Sequence, residues 1–372
     1  MPLTPASQWV IGSYRETMAP ARVFIVGPAS WNLLVHVAEL PVPEPHAVFA
    51  RWDHEGLGGT SAGKAMNLRR LGIDVTLCTL LGDDDTGGKI RRALQPYGID
   101  LIVRRSLNGS ERHVNLMDVA GRRLSIYLTL PEAVAAVPAE QDAALAAADV
   151  VVVDLADHSR RALSMARALG KPVWCDLHDY DGRSAFHSEF LAAADYLFVS
   201  DERLLDPNRF LHEQVAAGKR LVVCTRGARG ALALVPGGEI VEVAAEPVAE
   251  VVDTNGAGDA FFSGFLSAHL AGRCASASMW PPQLRLPAYA RPSWRPTTEM
   301  AARNKRGRVP PVSIPWRRRG RRNTPDSSRG QRLLYVTRSV RDMPPGNRHR
   351  RQDRSARPGV GQLTIRGSRP GA

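Results

Sequence analysis

Cysteine is scarce in this chain: four in 372 residues, at Cys78, Cys175, Cys224 and Cys274, with no CxxC pair among them. That scatter indicates neither a disulfide framework nor zinc, and the first three stand in apolar runs that suit core thiols in a reducing compartment. Long hydrophobic runs are missing too: no stretch approaches the roughly 20 apolar residues of a membrane-crossing helix. The first residues lack the basic, apolar, small-residue order of a secretory leader, so we read a cytoplasmic protein. No GxxxxGK[ST] string is present, which excludes a P-loop. Acidic residues are depleted at one end. From Arg273 to Ala372 there are 4 Asp and Glu against 24 Lys and Arg, whereas the 272 residues before them hold 33 acidic against 25 basic. The net charge of +12 therefore belongs to the tail, and any nucleic-acid contact is confined there, through release of counterions.

What remains is a chain long enough for one large domain or two ordinary ones. Residues 1–20 show no periodicity and read as an extension, with Met18 as an alternative start. From Arg22 the sequence alternates short apolar strands with helical segments: Arg22–Gly27, Ile73–Gly82, Asp149–Leu155, Pro172–Asp176, Tyr196–Ser200 and Arg220–Thr225 are the strands. Strands buried on both faces and separated by helices predict an α/β fold with a mainly parallel, doubly wound sheet. Ligands in such sheets bind beyond the carboxyl ends of the strands. Asp154, Asp157, Asp176, His178 and Thr225 fall there, with Asp157 a candidate for sugar binding and His178 either a strand-end hydrogen bonder or a catalyst. Two stretches break the alternation. Ala38–Glu55 is proline-rich and extended, and Val103–Leu130 contains HVNLMDV and RRLSIYL about a turn at Ala120-Gly121, a β-hairpin with one apolar face. The three acids Asp83–Asp85 invite a metal, but a helix start explains them better.

The densest signal is DTNGAGDAFFSGF, Asp253–Phe265. Small residues at Gly256-Ala257-Gly258 let backbone approach a ligand, and apolar residues at helical spacing follow from Ala260. The unpaired amides of a helix's first turn make a seat for an anion. A carboxylate there, Asp259, could take a proton from a hydroxyl while the amides hold charge on a transferring phosphoryl group. A lone GxG would be only a turn with a favourable acid beside it. The full string, however, resembles the C-terminal signature DTxGAGDxF of the PfkB (ribokinase-like) carbohydrate kinase family, and GLGGTSAGKAMNLRRLG, Gly56–Gly72, resembles its N-terminal signature.

The resemblance covers about residues 22–272 and implies a ribokinase-like domain over 21–272, with a small β lid from about 33–56 and 103–130. It implies ATP-dependent phosphorylation of a hydroxyl on a sugar, nucleoside or related small molecule, with Mg2+ between the ATP phosphates. Asp259 would be the base and Gly256, Ala257 and Gly258 the anion hole. Thr225, Gly227 and Thr254 would bind ATP; Asn32, Gly58, Gly59 and Gly63 would line the substrate. In many members the lid also pairs with a second subunit, which implies a homodimer. The chain departs from the family pattern at several places. Asn32 stands where the family has Asp, Gly63 where it has Asn, and Ser200 and Arg203 where NxxE organises magnesium, so no residue is assigned to the metal. Lys64 and Asn67 are nearby candidates to compensate for Gly63, with Lys64 read as a solvated helix residue. The alternative reading is a catalytically impaired kinase-like protein that binds small molecules or nucleotides. Residues 273–372, rich in Arg and Pro, do not resemble the family and are read either as a disordered basic tail or as the product of a frame change near Ala271.

Overall fold

The computed structural model describes residues 21–134, 136–246 and 254–272. The expectations for residues 1–20, for a strand just before Thr254, for Cys274 and for the basic tail lie outside the described residues.

In chain order the strands are β1 (Arg22–Val26), β2 (Ser30–His36), β3 (Trp52–Gly58), β4 (Asp74–Leu81), β5 (Asp100–Arg105), β6 (Glu111–Met117), β7 (Arg123–Thr129), β8 (Val150–Val153), β9 (Val173–Asp176), β10 (Tyr196–Ser200), β11 (Leu221–Thr225), β12 (Ala231–Leu234) and β13 (Val241–Val243). The helices are α1 (Thr60–Arg70), α2 (Asp85–Leu94), α3 (Ala139–Ala147), α4 (Arg160–Ala168), α5 (Ser188–Ala193), α6 (Pro207–Ala216) and α7 (Ala257–Leu270).

Nine strands form the main sheet in the order β13-β12-β11-β10-β9-β8-β1-β4-β5. From β11 to β5 the pairings are parallel, and β12 and β13 add an antiparallel edge. The runs RVFIV and VVVV are apolar on both faces because both faces are covered. On one side Ala62, Ala65 and Leu68 of α1, Ile90 and Leu94 of α2, and Phe261, Phe262 and Phe265 of α7 pack against Val23, Ile25 and Leu77. On the other, Leu145 of α3, Leu163 of α4, Phe190 of α5 and Phe210 of α6 pack against Phe24, Val26 and Val151. This is the ribokinase-like α/β arrangement that the sequence implies.

A second, four-stranded sheet, β3-β2-β6-β7, occupies the segments where the resemblance implies a lid and is called the lid on that ground. Its bounds differ from the expected ones in one respect: Val103–Arg105 is the end of β5 and belongs to the edge of the main sheet, hydrogen-bonded in parallel to β4. The alternating pattern from Val103 onward did not show that the chain changes sheets between Arg105 and Glu111. Asp84 makes that change rigid. It caps α2 by accepting from Gly87 N at 2.7 Å, and it also accepts from Ser110 N at 2.9 Å and Ser110 Oγ at 2.7 Å. Although burial works against its charge, those hydrogen bonds hold its carboxyl below the usual range. Of the acid run Asp83–Asp85, Asp84 thus caps the helix and anchors the lid, and Asp85 stands in the first turn.

Candidate active site

The carboxyl ends of β1, β8 and β9 meet the first turns of α1 and α7, and the side chains there form one charged network. Phe262 and Phe265 seat α7 on the sheet against Trp174 and Phe198, with ring centroids 4.7 Å apart for Phe198 and Phe262. Ser263 Oγ donates to Asp259 O at 2.7 Å and lies 3.3 Å from Lys64 O, tying α7 to α1. The register of α7 is thereby fixed, and with it the position of Asp259 at its opening.

Lys64 is the centre of the network. Its ammonium is fully buried and lies 2.7 Å from Asp154 Oδ1, 3.5 Å from Asp259 Oδ1 and 3.6 Å from Asp176 Oδ2. It also donates to Thr60 Oγ1 at 2.6 Å, and Thr60 Oγ1 in turn donates to Asp259 Oδ1. Ser61 Oγ donates to the other oxygen of Asp154 at 2.6 Å. The solvated reading of Lys64 is therefore corrected: its position on α1 faces inward, and three carboxylates offset the cost of burying its charge. Burial alone would lower its pKa, but Asp154, Asp176 and Asp259 together raise it well above the ordinary lysine value. The inverse holds at Asp259. Burial raises the carboxyl above its usual range, while Lys64, His178 and the Thr60 hydroxyl pull it back. Its side chain keeps 15 % exposure, enough to meet a ligand while shielded from bulk water.

The glycines of the two motifs serve this geometry. A Cβ on Gly63 would come within 2.8 Å of Asp259 Oδ2, so the missing side chain leaves the carboxylate its place against α1. A Cβ on Gly58 would collide with Asn32 Nδ2 at 2.0 Å, and Gly59 has φ +86° with Pro28 O only 2.5 Å from where its Cβ would stand. Gly58 and Gly59 thus bring the lid strand and the β1 turn into contact. At the opening of α7, Gly256 adopts φ +76° and nothing within 4 Å would meet a Cβ on Gly258. Ala257 N donates to Thr254 O at 3.2 Å, which leaves the amides of Gly258 and Asp259, among the described residues, without a hydrogen-bond acceptor.

Other expected residues lie farther off. Asp157 is not part of the network: it sits in a short 3-10 turn, 83 % exposed, paired with Arg160 at 3.0 Å, because the acid that points inward from β8 is Asp154. Thr225 and Gly227 lie at the carboxyl end of β11, and no hydrogen bond joins them to the turn at Gly256–Asp259. Thr254 lies against the lid, its Oγ1 3.4 Å from Gly121 O, and Arg123 donates to Asn255 Oδ1 at 3.1 Å. The hairpin turn between β6 and β7 therefore touches the segment leading into α7. The backbone N–H of His178 donates to Asp176 Oδ1 at 2.9 Å and its imidazole Nδ1 lies 3.6 Å from Asp176 Oδ2, and the residue holds φ +51°, the one positive φ among the described non-glycine residues. No three His, Cys, Asp or Glu side chains converge to hold a metal among the described residues. Near the expected magnesium segment, Asp201 pairs with Arg229, and Arg203 pairs with Asp179 and Asp181.

Sequence reading missed Lys64 and Thr60 as site residues. No local signal identifies Lys64: position 64 falls at the edge of the stripe formed by Ala62, Ala65 and Leu68, where a lysine can be either solvated or buried.

Residues 44–279 match the pfkB family of carbohydrate kinases. The chain is 34% identical over 261 residues to acarbose 7(IV)-phosphotransferase of Actinoplanes sp., covering 67% of this chain and 85% of that protein. It is 30% identical over 259 residues to ATP-dependent ribose-1-phosphate kinase of Halopiger xanaduensis, covering 67% and 85%. Among solved structures, a microbiome-derived acarbose kinase superposes with a TM-score of 0.60 at 30% identity, covering 68% of this chain and 86% of that one.

Proposed function

The chain belongs to the pfkB family of carbohydrate kinases, and on that premise we propose that Asp259 is the base that activates a sugar hydroxyl for attack on the γ-phosphorus of ATP. The observation that carries this reading is the partly exposed carboxylate of Asp259 at the opening of α7, with a buried cation 3.5 Å behind it and free amides beside it. In the step we propose, the acceptor oxygen bonds to the γ-phosphorus, its proton passes to Asp259, and the bond to the β-phosphate oxygen breaks to release ADP. The Gly258 and Asp259 amides, with those of Gly256 and Ala257 if the Thr254 contact yields, face the charge on the transferred group. Thr225, Gly227 and Thr254 are assigned to the nucleotide side, and Asn32 with the Gly58–Gly59 turn to the acceptor. Magnesium is assigned to the ATP phosphates, since Mg2+ commonly uses substrate phosphates and few protein ligands.

The test is ADP release by the full chain with ATP and a panel of acarbose, ribose, ribose 1-phosphate, free hexoses and nucleosides. Phosphorylated product with at least one sugar is expected. Binding without transfer to any of them, across magnesium concentrations, would favour the impaired reading instead.

We also assign the outer face of the lid to a second copy of the chain. Leu33 and Val35 of β2, Val114 and Leu116 of β6, and Leu124 and Ile126 of β7 are cross-strand neighbours there. Leu124 is 44% and Ile126 47% exposed, which makes a contiguous apolar patch suited to association. Light scattering is expected to give a dimer mass for the wild type and a monomer mass for the Leu124→Lys, Ile126→Lys double variant. A wild-type monomer at micromolar concentration would remove the assignment.

A further inference from the structure

The inner face of the lid carries more polar chemistry than a single sugar ring would use. Ser30 and Asn32 of β2 pair in register with Glu111 and His113 of β6, and Leu34 pairs with Asn115. All four polar partners and Asn115 are buried, with Ser30 at 0%, Asn32 at 4%, Asn115 at 3%, Glu111 at 7% and His113 at 8% exposure. Yet Ser30 Oγ, Asn32 Oδ1 and Asn115 Oδ1 have no hydrogen-bond partner among the described residues. His113 Nε2 lies 2.8 Å from Glu111 Oε1 but is not aligned with it as a hydrogen bond.

Buried polar atoms are satisfied in most folded proteins, because an unmet group forfeits its hydration for nothing. Here the unmet atoms share one face of one sheet. That face looks toward the main sheet: Ser30 Oγ and Asn32 Nδ2 lie against Gly58, two residues before α1 begins, and Tyr127 is opposite His113 on β7. The Tyr127 ring packs against His113 at 3.9 Å between centroids and is itself 58% exposed. A flat apolar surface thus stands at the open edge of a row of hydrogen-bonding groups, the combination by which concave sites orient small polar ligands.

The row is long. Same-face neighbours on a strand are about 6.7 Å apart, so Glu111, His113 and Asn115 spread their side chains over about 13 Å. Its lower end, at Ser30 and Asn32, adjoins Gly58 and, through the next residues of the chain, Thr60 and Asp259. His113 and, across β6, Tyr127 stand on the same rung as Asn32, and Asn115 on the next, so a sugar ring held at Asn32 with its hydroxyl at Asp259 leaves the β6 and β7 side of that face for whatever is joined to it. The chemistry of the row narrows the class. The charges that act on Tyr127 are mixed, Glu111 and Asp179 acidic and Arg123 basic, and Asp179 is paired with Arg203, so no cationic cradle for a second phosphate is formed. Neutral hydroxyls match amide, hydroxyl and imidazole groups that can each donate or accept.

We infer that the inner face of the lid on the β6 and β7 side of Asn32 is a second binding site, formed by His113, Asn115 and Tyr127, for the non-reacting ring of an oligosaccharide acceptor. The site deepens the kinase reading by naming its acceptor class. Binding energy gathered at this remote ring would position the reacting hydroxyl at Asp259.

The experiment is equilibrium binding by isothermal titration, with the full chain saturated by a non-hydrolysable ATP analogue. The probes are glucosides, galactosides and fructosides of one, two and three units. In at least one series the affinity is expected to rise tenfold or more from one unit to two or three. In Asn115→Ala and in His113→Ala, the trisaccharide of that series is expected to bind no tighter than the monosaccharide. A structural role makes a different forecast: an asparagine needed for folding lowers the melting temperature when removed, whereas the loss of an unpartnered Asn115 amide should leave it unchanged or raise it. Affinity independent of length in every series overturns the inference, as does a length effect that survives both variants. The two readings fail separately. Length-dependent binding with no phosphoryl transfer would sink the kinase reading alone, and transfer to a free hexose with no gain from added rings would sink this one alone.

Discussion

Replacing Asp259 by Asn is expected to lower kcat by about 10²- to 10⁴-fold, the range that a positioned general base supplies. The amide keeps the volume and can still accept from Thr60, but it cannot take a proton from the acceptor hydroxyl. Folding should hardly notice. The pKa of Asp259 is raised by burial, so its charged form is disfavoured in the folded chain, and its contribution to stability becomes less favourable as pH rises above the ordinary carboxyl range. Removing that charge at neutral pH removes a small penalty, while Lys64 keeps Asp154 and Asp176. The melting temperature is therefore expected to move by no more than about 4 °C, the equivalent of about 1 kcal/mol. The pair of measurements is turnover of a verified sugar acceptor alongside a thermal melt. An Asn variant that turns over at the wild-type rate would take Asp259 out of the base role.

The second large effect is expected at Lys64. Truncation to Met leaves Asp154, Asp176 and Asp259 facing one another with no lysine among them, and breaking a buried pair of this kind costs about 3–5 kcal/mol. The Asp154→Asn, Lys64→Met double variant removes one of the three acids along with the cation and should recover part of the loss. The kinetic consequence separates a charge effect from mere loosening. Lys64 lowers the pKa of Asp259 against the upward push of burial; without it the base stays protonated to higher pH. The rising limb of kcat/KM against pH should move upward, with activity near neutrality falling tenfold or more and partly returning in alkaline buffer. Lys64 itself stays protonated across that range, because its folded pKa lies well above the ordinary lysine value, so its stabilising effect is lost only above the range of the assay. A double variant that folds, yet whose pH profile coincides with that of the wild type, would show that Lys64 does not tune the base.

These two residues also mark how far the sequence could be read. The placing of Asp259 was legible because it rests on a local arrangement: a turn of small residues feeding a helix puts the carboxylate and the first-turn amides together within a few positions of the chain. The parallel strands were legible for a similar reason, since runs such as Val150–Val153 that are apolar at every position can only be covered on both faces. Asp84 announced itself as a cap by standing just before a helical pattern, although its second grip on Ser110, 26 residues away, did not.

Lys64 was not legible, and neither was the exclusion of Asp157. Whether a lysine on an amphipathic helix is solvated or buried depends on what the opposing elements bring to it, and its three partners come from β8, β9 and α7, the nearest of them 90 residues away in the chain. Asp154 and Asp157 differ by one turn of backbone at the end of the same strand, yet one is fully buried and the other 83 % exposed. Nothing in their composition distinguishes them. The sequence alone determined the main strands and helices and the placing of a carboxylate beside first-turn amides at one helix opening, because those follow from local spacing and hydrophobic period. Only the tertiary structure decided which charges share a buried space and which lid face holds unmet hydrogen-bonding groups, because both depend on burial by residues remote in the chain.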